Sequence, residues 1–276
     1  MTTEPVFVSY AQNMEDVVLA RLVSLVPQGR FIDVGAGHPI LENVTYAFYL
    51  QGWRGINVEP MPTEVELLRE VRPDDETIQA AVGASMGSVT LFEAPSENRG
   101  ATTSSAELAA RYAEADGEPF VAFESPMVTL ASLLEKFEPG EIHVVKIDVE
   151  GMEFDVLTGA ELAQHRPWVV VVESTEPNDP TSTAHIWEHI VLEAGYRYVL
   201  FDGLNRFYVR ADLDEVANLL SVPANVFDHW VPLIALELEA AKLEIEALRA
   251  ARTEAENYAQ SLESALADLR SANEKK

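Results

Sequence analysis

The chain has 276 residues, 47% hydrophobic and 24% charged, enough for one domain with a full core plus an appendage. Its 19 Lys+Arg stand against 46 Asp+Glu, and the formal charge of -27 opposes nucleic acid or an anionic membrane as a partner, since both favour a positive surface. Cysteine is absent, which excludes disulfides and thiolate metal sites; Met1 to Pro5 is polar and acidic, and no apolar run approaches the roughly 20 residues of a membrane span, so a cytoplasmic location is expected.

Asn13 to Val26 reads as the first helix, with Val17, Val18, Leu19, Leu22 and Val26 on a broad apolar face, Asn13 as a candidate N-cap and Pro27 and Gly29 as the stop. Phe31-Ile32-Asp33-Val34-Gly35-Ala36-Gly37 then reads as a buried strand, starting at about Arg30, that runs into a glycine-rich turn. Such a turn is where an open α/β sheet takes a nucleotide-like ligand. Gly35 permits the tight turn and Gly37 the close approach of a bound group, while Asp33 adds a charge at the strand end. His38 faces a ligand or is an ordinary turn residue beside the stiff Pro39. Asn43 to Gln51 is expected as a crossover helix ended by Gly52, and Arg54 to Val58 as the second strand. Glu59, 26 residues beyond Asp33, stands where a carboxylate accepts from both hydroxyls of a ribose; the competing assignment is a helix-start carboxylate, since Pro60 can open a helix running to Arg72.

Thr77 to Val82 is expected as the third strand, with backbone around Ala81 and Val82 placed to read an adenine edge. Val89 to Phe92 alternates as a strand able to pair back on it, and Pro95 to Ser105 is a polar loop and a candidate lid. Ser105 to Ala115 is expected as a helix, Val121 to Phe123 as a short strand, and Thr129 to Phe137 as a helix closed by Pro139 and Gly140. Ile142 to Ile147 reads as a central strand that carries Lys146, Asp148 and Glu150 to the carboxyl edge of the sheet; Glu153 and Asp155 open the next helix, whose N-terminal end favours negative charge. Pro167 to Val172 is the most hydrophobic strand and brings out Glu173 at its end. Asp148 and Glu173, on neighbouring strand ends, can hold a divalent cation through oxygen ligands or orient a sugar hydroxyl, and the sequence leaves both open. Pro177 to Ser182 is a turn-rich loop, His185 to Ala194 a helix capped by Gly195, and Tyr196 to Phe201 with Arg206 to Arg210 a hairpin over Asp202-Gly203; Asp212 to Leu220 follows as a short helix. Beyond Leu233 there is no glycine or proline. Ile234, Ala241, Leu248, Ala255, Leu262 and Leu269 recur every seven residues, with Leu238, Ile245, Arg252, Ala259 and Leu266 four places after the first five, a coiled-coil signature over roughly five heptads.

Four stretches, in this order, resemble class I S-adenosylmethionine-dependent methyltransferases and more closely the FkbM-like family: Ser9 to Asp16 (SYAQNMED), the glycine-rich turn, Gly52 to Pro60 (GWRGINVEP) and Lys146 to Gly151 (KIDVEG). Asp202 to Val209 (DGLNRFYV) is a fifth, softer match, and together they cover about residues 6 to 231. The turn departs from the common class I form by running into His38-Pro39, which agrees with the FkbM-like variant. The expected fold is therefore α/β, a doubly wound, mostly parallel seven-stranded sheet over residues 1–231, followed by a coiled-coil or oligomerisation helix over 232–276 that would make the protein a homo-oligomer. The resemblance implies S-adenosylmethionine as cofactor, with Tyr10, Gln12 and Asn13 against it beside Asp33, Gly35, Gly37, Glu59, Pro60, Ala81 and Val82, and Asp148 at the cofactor or the acceptor. It also implies O-methylation of a sugar, in a glycan, a polysaccharide precursor or a glycosylated metabolite. A carboxylate alone is too weak a base for a sugar hydroxyl, so the catalytic candidates are Asp148 and Glu173, with a divalent cation such as magnesium, and the histidines His38 and His185 as bases. Two other classes fit the sequence less well. A nicotinamide oxidoreductase would want a third glycine where Ile40 stands, and a non-catalytic scaffold of a glycan-assembly complex would not need Asp33, Glu59 and Asp148 together.

Overall fold

The computed structural model describes residues 6–94, 102–116, 118–176 and 179–273. Contacts divide the chain into Met1–Trp230 and Val231–Lys276. The first unit is built on a seven-stranded sheet of β1 (Arg30–Val34), β2 (Arg54–Glu59), β3 (Glu76–Gln79), β4 (Val144–Ile147), β5 (Val169–Glu173), β6 (Tyr196–Phe201) and β7 (Asn205–Arg210). Across the sheet they run β6-β7-β5-β4-β1-β2-β3, with β1 to β5 parallel and β7 antiparallel to both of its neighbours. Strand order reverses between β1 and β4, so the loops that leave their carboxyl ends diverge and open a crevice there.

Strand alternation explains how the apolar runs bury both faces. Ile32, Val34, Val145, Ile147, Val170 and Val172 pack on one face with Leu130, Val156, Leu157 and Trp187. Phe31, Val144, Val169, Val171 and Phe207 pack on the other with Leu19, Leu22, Phe48 and Trp53. The same alternation puts Asp33 and Lys146 on the second face, and the β1–β4 register makes them direct neighbours.

A polar cluster is buried beneath that second face. Arg72, fully enclosed, donates from Nε to Asp75 Oδ2 (3.0 Å), from Nη1 to Asn43 Oδ1 (3.1 Å) and from Nη2 to Thr45 Oγ1 (3.0 Å), and its guanidinium lies over the rings of Phe31 and Tyr49. Thr45 Oγ1 in turn donates to Asp33 Oδ2 at 2.7 Å, and Asp75 accepts the Gly55 N–H at 2.9 Å. A buried guanidinium persists because its donors are met by fixed acceptors and its planar face by aromatic carbon.

The parallel strands, the final hairpin and the helix Ala184–Glu193 form where the periodicity places them, and Gly195 follows that helix with φ 89. Elsewhere the boundaries differ. The helix expected over Asn43–Gln51 is only Tyr46–Leu50, because Asn43 Oδ1 accepts from the N–H groups of Thr45 and Tyr46 and holds the preceding residues in a turn. Pro62, not Pro60, opens the helix Pro62–Val71. The first helix is Glu15–Ala20 continued by a 3-10 turn at Arg21–Ser24, and Met14 rather than Asn13 is its N-cap residue, with φ 61 and no side-chain cap bond. The third strand is split at Ala80: Glu76–Gln79 joins the main sheet, whereas Ala81–Val82 pairs in parallel with Met127–Val128 in a separate three-stranded sheet. The partner of Gly87–Glu93 in that sheet is Val121–Val128, eight residues long and antiparallel, not the preceding segment; the proline and polar residues of that strand mask its alternation. Asp179–Ser182, expected as loop, pairs with Thr175–Glu176. Most of the lid candidate, residues 95–101, lies outside the described residues, as do 177–178.

In the second unit Leu233–Asn273 is one continuous helix of 41 residues. No helix among the described residues is long and apolar enough to cross a membrane.

Arg72→Met should destabilise the domain by about 3 kcal/mol in urea unfolding, because it keeps the volume but leaves Asp75 buried without its counter-charge. A loss below about 1 kcal/mol would show that Asp75 is neutralised by other means.

Candidate active site

The glycine turn after β1 is fixed by backbone. Gly35 (φ 73) and Ala36 donate to Val58 O at 3.0 and 3.2 Å, and a Cβ built on Gly35 would fall 1.8 Å from Asp148 O, so only glycine lets the two loops touch. Gly37 (φ 56) differs: a Cβ there would meet no protein atom within 4 Å, so its face is open to an approaching ligand. Its N–H donates to Glu59 Oε2 at 2.9 Å, and Met61 N–H donates to Glu59 Oε1 at 2.9 Å around the rigid Pro60. Glu59 is buried, and burial pushes its carboxyl up to about 7 against the opposing effect of those two N–H donors. Each of its oxygens keeps a further lone pair, which suits it to hydroxyl donors.

At the centre of the edge is Lys146. Its ammonium lies 3.1 Å from Asp148 Oδ2 and 3.7 Å from Asp33 Oδ1, and donates to Gly35 O at 3.2 Å. Burial by itself would lower its pKa, but the charges of Asp148 and Asp33 outweigh it and hold the group well above the ordinary lysine value. Asp33 is enclosed between Thr45 and Lys146. Asp148, Glu150 and Glu173 each bring a carboxylate oxygen within 4.8 Å of the others. Burial opposes ionisation of Asp148, yet Lys146 and a hydrogen bond with Glu173 hold it below the ordinary range. Glu173 is raised strongly by burial and by Asp148, and Glu150, held at φ 49, is pushed up to about 8 by burial and then by Asp148 and Glu153. One ammonium thus serves several acids, and the surplus is held as neutral carboxyl groups.

Beside this trio is a cavity of about 610 Å³, lined by the helix segment Ser105–Glu114, by Glu150–Phe154, by Glu173–Glu176 and by Thr183, Ile186 and Trp187. Its described lining carries Glu107, Glu114, Glu150, Glu153, Glu173 and Glu176 against a single cationic side chain, Arg111. Thr103 is tied to this floor, donating from Oγ1 to Glu150 O at 3.0 Å.

The N-terminal motif is stapled by acids whose structural weight its sequence did not reveal. Asp16, fully buried, accepts from Ser9 Oγ (2.7 Å), Tyr10 N–H (2.7 Å) and Ala11 N–H (3.3 Å); burial pushes it up to about 6 despite these bonds. Glu15 accepts from Asn13 N–H (2.9 Å) and from Asn205 Nδ2 (2.6 Å), while Asn13 Nδ2 donates to Asp202 O (3.2 Å). The stretch Ser9–Asp16 is thereby bound to the Asp202–Asn205 turn, so the first and fifth stretches form one local structure. Tyr10 packs edge-on to Tyr46 at 4.8 Å, and Gln12 is exposed.

The remaining candidates are placed as follows. Ala81 and Val82 are buried, Ala81 beside Leu91 and Met152. His38 Nδ1 accepts from the N–H groups of Ile40 and Leu41 and so closes its own turn. His185 is exposed, 3.2 Å from Ser182 O, and lines no part of the cavity, although its neighbours Ile186 and Trp187 do. The trio therefore gathers Asp148 and Glu173 but neither histidine, and it adds Glu150, which alternation places on the same side as Asp148.

No match to a curated protein is found. Similar solved structures include a TehB-like SAM-dependent methyltransferase from Corynebacterium glutamicum (9% identity, 70% of this chain and 87% of that one, TM-score 0.38). Others are the magnesium protoporphyrin IX methyltransferase of Synechocystis with bound SAM (11%, 72% and 78%, TM-score 0.40) and a putative RNA methyltransferase from Pyrococcus horikoshii (13%, 72% and 82%, TM-score 0.36). At such scores the assignment rests on the family match. Residues 33–198, from the buried Asp33 through both loops of the crevice to β6, match the methyltransferase FkbM domain, and the chain belongs to that family of S-adenosylmethionine-dependent methyltransferases.

Proposed function

We propose that the protein methylates a hydroxyl oxygen of a sugar, carried by a glycan, a polysaccharide precursor or a glycosylated metabolite. The observation that carries this reading is the trio Asp148, Glu150 and Glu173, set between the glycine turn and the cavity. Carboxyl groups of mixed protonation both accept from and donate to the hydroxyls of a polyol. The acidic lining repels phosphorylated or carboxylated acceptors, which favours a neutral or amine-bearing sugar.

S-adenosylmethionine supplies an electrophilic methyl group on a sulfonium. The open face of Gly37 and the buried Glu59 fit its adenosyl part, the carboxylate accepting from the ribose hydroxyls. The chain's own contribution is alignment and proton handling. The cavity presents the acceptor oxygen beside the crevice and the trio orients it; as the O–C bond forms, the C–S bond to the methyl group would break with S-adenosylhomocysteine as the leaving group, and the hydroxyl proton, made acidic by the positive charge building on its oxygen, would pass to the ionised Asp148. Asp148, Glu150 and Glu173 would also hold a divalent cation such as magnesium, which would lower the pKa of a bound hydroxyl; the self-closed His38 and the exposed His185 make a histidine base the weaker reading. Membership of the methyltransferase family disfavours the nicotinamide oxidoreductase. The C-terminal helix joins copies of the chain, and a cytoplasmic location agrees with this role.

The test is methyl transfer from labelled S-adenosylmethionine to neutral, amino and phosphorylated sugars, with the product linkage identified by mass spectrometry. An O-methyl ether on a neutral or amino sugar is expected, and N- or C-methylation would overturn the reading. After exhaustive chelation the activity should fall and return with magnesium, whereas Asp148→Asn should stay inactive in either condition while still binding S-adenosylhomocysteine; full activity after chelation would reject the cation. Glu59→Ala should weaken S-adenosylhomocysteine binding in calorimetry by roughly 1.5–3 kcal/mol, the loss of a charged hydrogen-bond set.

The raised carboxyls also fix a pH dependence. Asp16 at about 6, Glu15 and Glu59 at about 7 and Glu150 at about 8 hold protons in the folded chain that the unfolded chain releases near 4, so the stability these groups contribute is fully present below that value and is lost as pH climbs to about 8. His143, lowered by burial, opposes this below its ordinary value, while Glu153 and Asp202, raised by burial, add to it. The melting temperature should therefore be higher at pH 5.5 than at pH 8.5. Magnesium should raise it more at the higher pH, where fewer protons compete for the trio.

A further inference from the structure

The helix Leu233–Asn273 displays Ile234, Leu238, Ile245, Leu248, Leu262 and Leu266 as exposed side chains on one heptad seam. The seam is irregular: Arg252 interrupts it near its middle, and Ala241, Ala255 and Ala259 stand among the large residues. We propose that this helix pairs with the same helix of a second copy in antiparallel orientation, in the register that sets Arg252 against the partner's Ala255.

Size and charge choose the orientation. A parallel pair would join like with like at every layer, stacking Arg252 on the partner's Arg252 and setting Ala241, Ala255 and Ala259 each against alanine, so that four layers would repel or bury little. The antiparallel register sets Ala241 against the partner's Leu266, Ile245 against the partner's Leu262 and Leu248 against the partner's Ala259, so each alanine meets a longer side chain. Beside the seam, Lys242 then faces the partner's Glu263 and Arg249 faces the partner's Glu256, each twice by symmetry, with no like-charge pair. Arg252 already bonds Glu256 of its own helix at 3.4 Å, which brings a guanidinium, a carboxylate and the partner's Arg249 into one network at the centre. Parallel pairing also gives attractive flanks, Glu237 to Lys242 and Glu244 to Arg249, so the orientation is decided by the core layers rather than by the flanks. The symmetry axis falls between residues 253 and 254, at the midpoint of Leu233–Asn273, so almost the whole helix is paired, with its dipole opposed to its partner's. The points where the two domains enter the pair then stand about 60 Å apart at 1.5 Å per residue.

This deepens the proposal that the helix joins copies, and it does not depend on the acceptor. The absence of cysteine makes an engineered thiol the only one in the chain. Full-length A241C, L266C and the double variant would be weighed by light scattering at micromolar concentration and then oxidised. The expected result is a dimer in all three, with covalent dimer formed by the double variant and by neither single one. Covalent dimer from A241C alone would establish parallel pairing and overturn the orientation while leaving the joining of copies intact. A dimer whose double variant does not cross-link would reject the register, and a monomer or any higher assembly would reject the pair altogether.

Discussion

Everything at the carboxyl edge of the sheet depends on keeping one ammonium charged inside the sheet. Lys146 is carried on β4, the strand next to the reversal of strand order, and an unpaired charge there would cost several kcal/mol. Asp33 from the neighbouring strand, Asp148 from its own, and the Gly35 carbonyl meet it. That requirement fixes the separation of the two loops that form the crevice, and Gly35 is the residue that lets them close to contact. Thr45 and Arg72 carry the same network to the far end of the helix Pro62–Val71, so the stability of the second face and the geometry of the site share residues.

The same ammonium sets the proton inventory. Its charge is matched by Asp33 and Asp148, which leaves Glu150 and Glu173 in half-buried positions without a counter-charge of their own, and both respond by retaining protons. The formal charge of -27 therefore overstates the negative charge of the folded chain near neutrality, since Glu15 and Glu59 also hold protons in part. These are ionisations in reserve, available to a ligand that brings positive charge or hydroxyl donors and costly without one.

A second consequence of buried acids is long-range stapling. Glu15 and Asn205, 190 residues apart, are joined directly, and Asn13 reaches the carbonyl of Asp202. The N-terminal segment is thus held by the hairpin that closes the sheet, and through Tyr10 it packs on Tyr46 in the crossover between β1 and β2. Substitutions at Glu15 and Asp16 would act on the site through this frame.

The sequence alone determined the central parallel strands, because Val169–Val172 is apolar on both faces and Phe31–Val34 and Val144–Ile147 are apolar but for one charge each, Asp33 and Lys146, a pattern that an interior strand accepts. It likewise determined the glycine turn, the acid at Glu59 and the final hairpin, each resting on chemistry confined to a few consecutive residues. What it could not determine were matters of distance across the chain. The division of Thr77–Val82 between two sheets depends on the hydrogen-bonding partner at Met127–Val128, and that strand's Pro126 and polar residues hide its period. The shortening of the Asn43–Gln51 helix depends on a side chain competing with the backbone. Which carboxylates gather, Glu150 with Asp148 and Glu173 but neither histidine, is decided by a φ of 49 at Glu150 and by how two strand ends are spaced. Tertiary structure decides such questions because a carboxylate's role follows from which charges and donors surround it, and residue spacing along a chain does not carry that information.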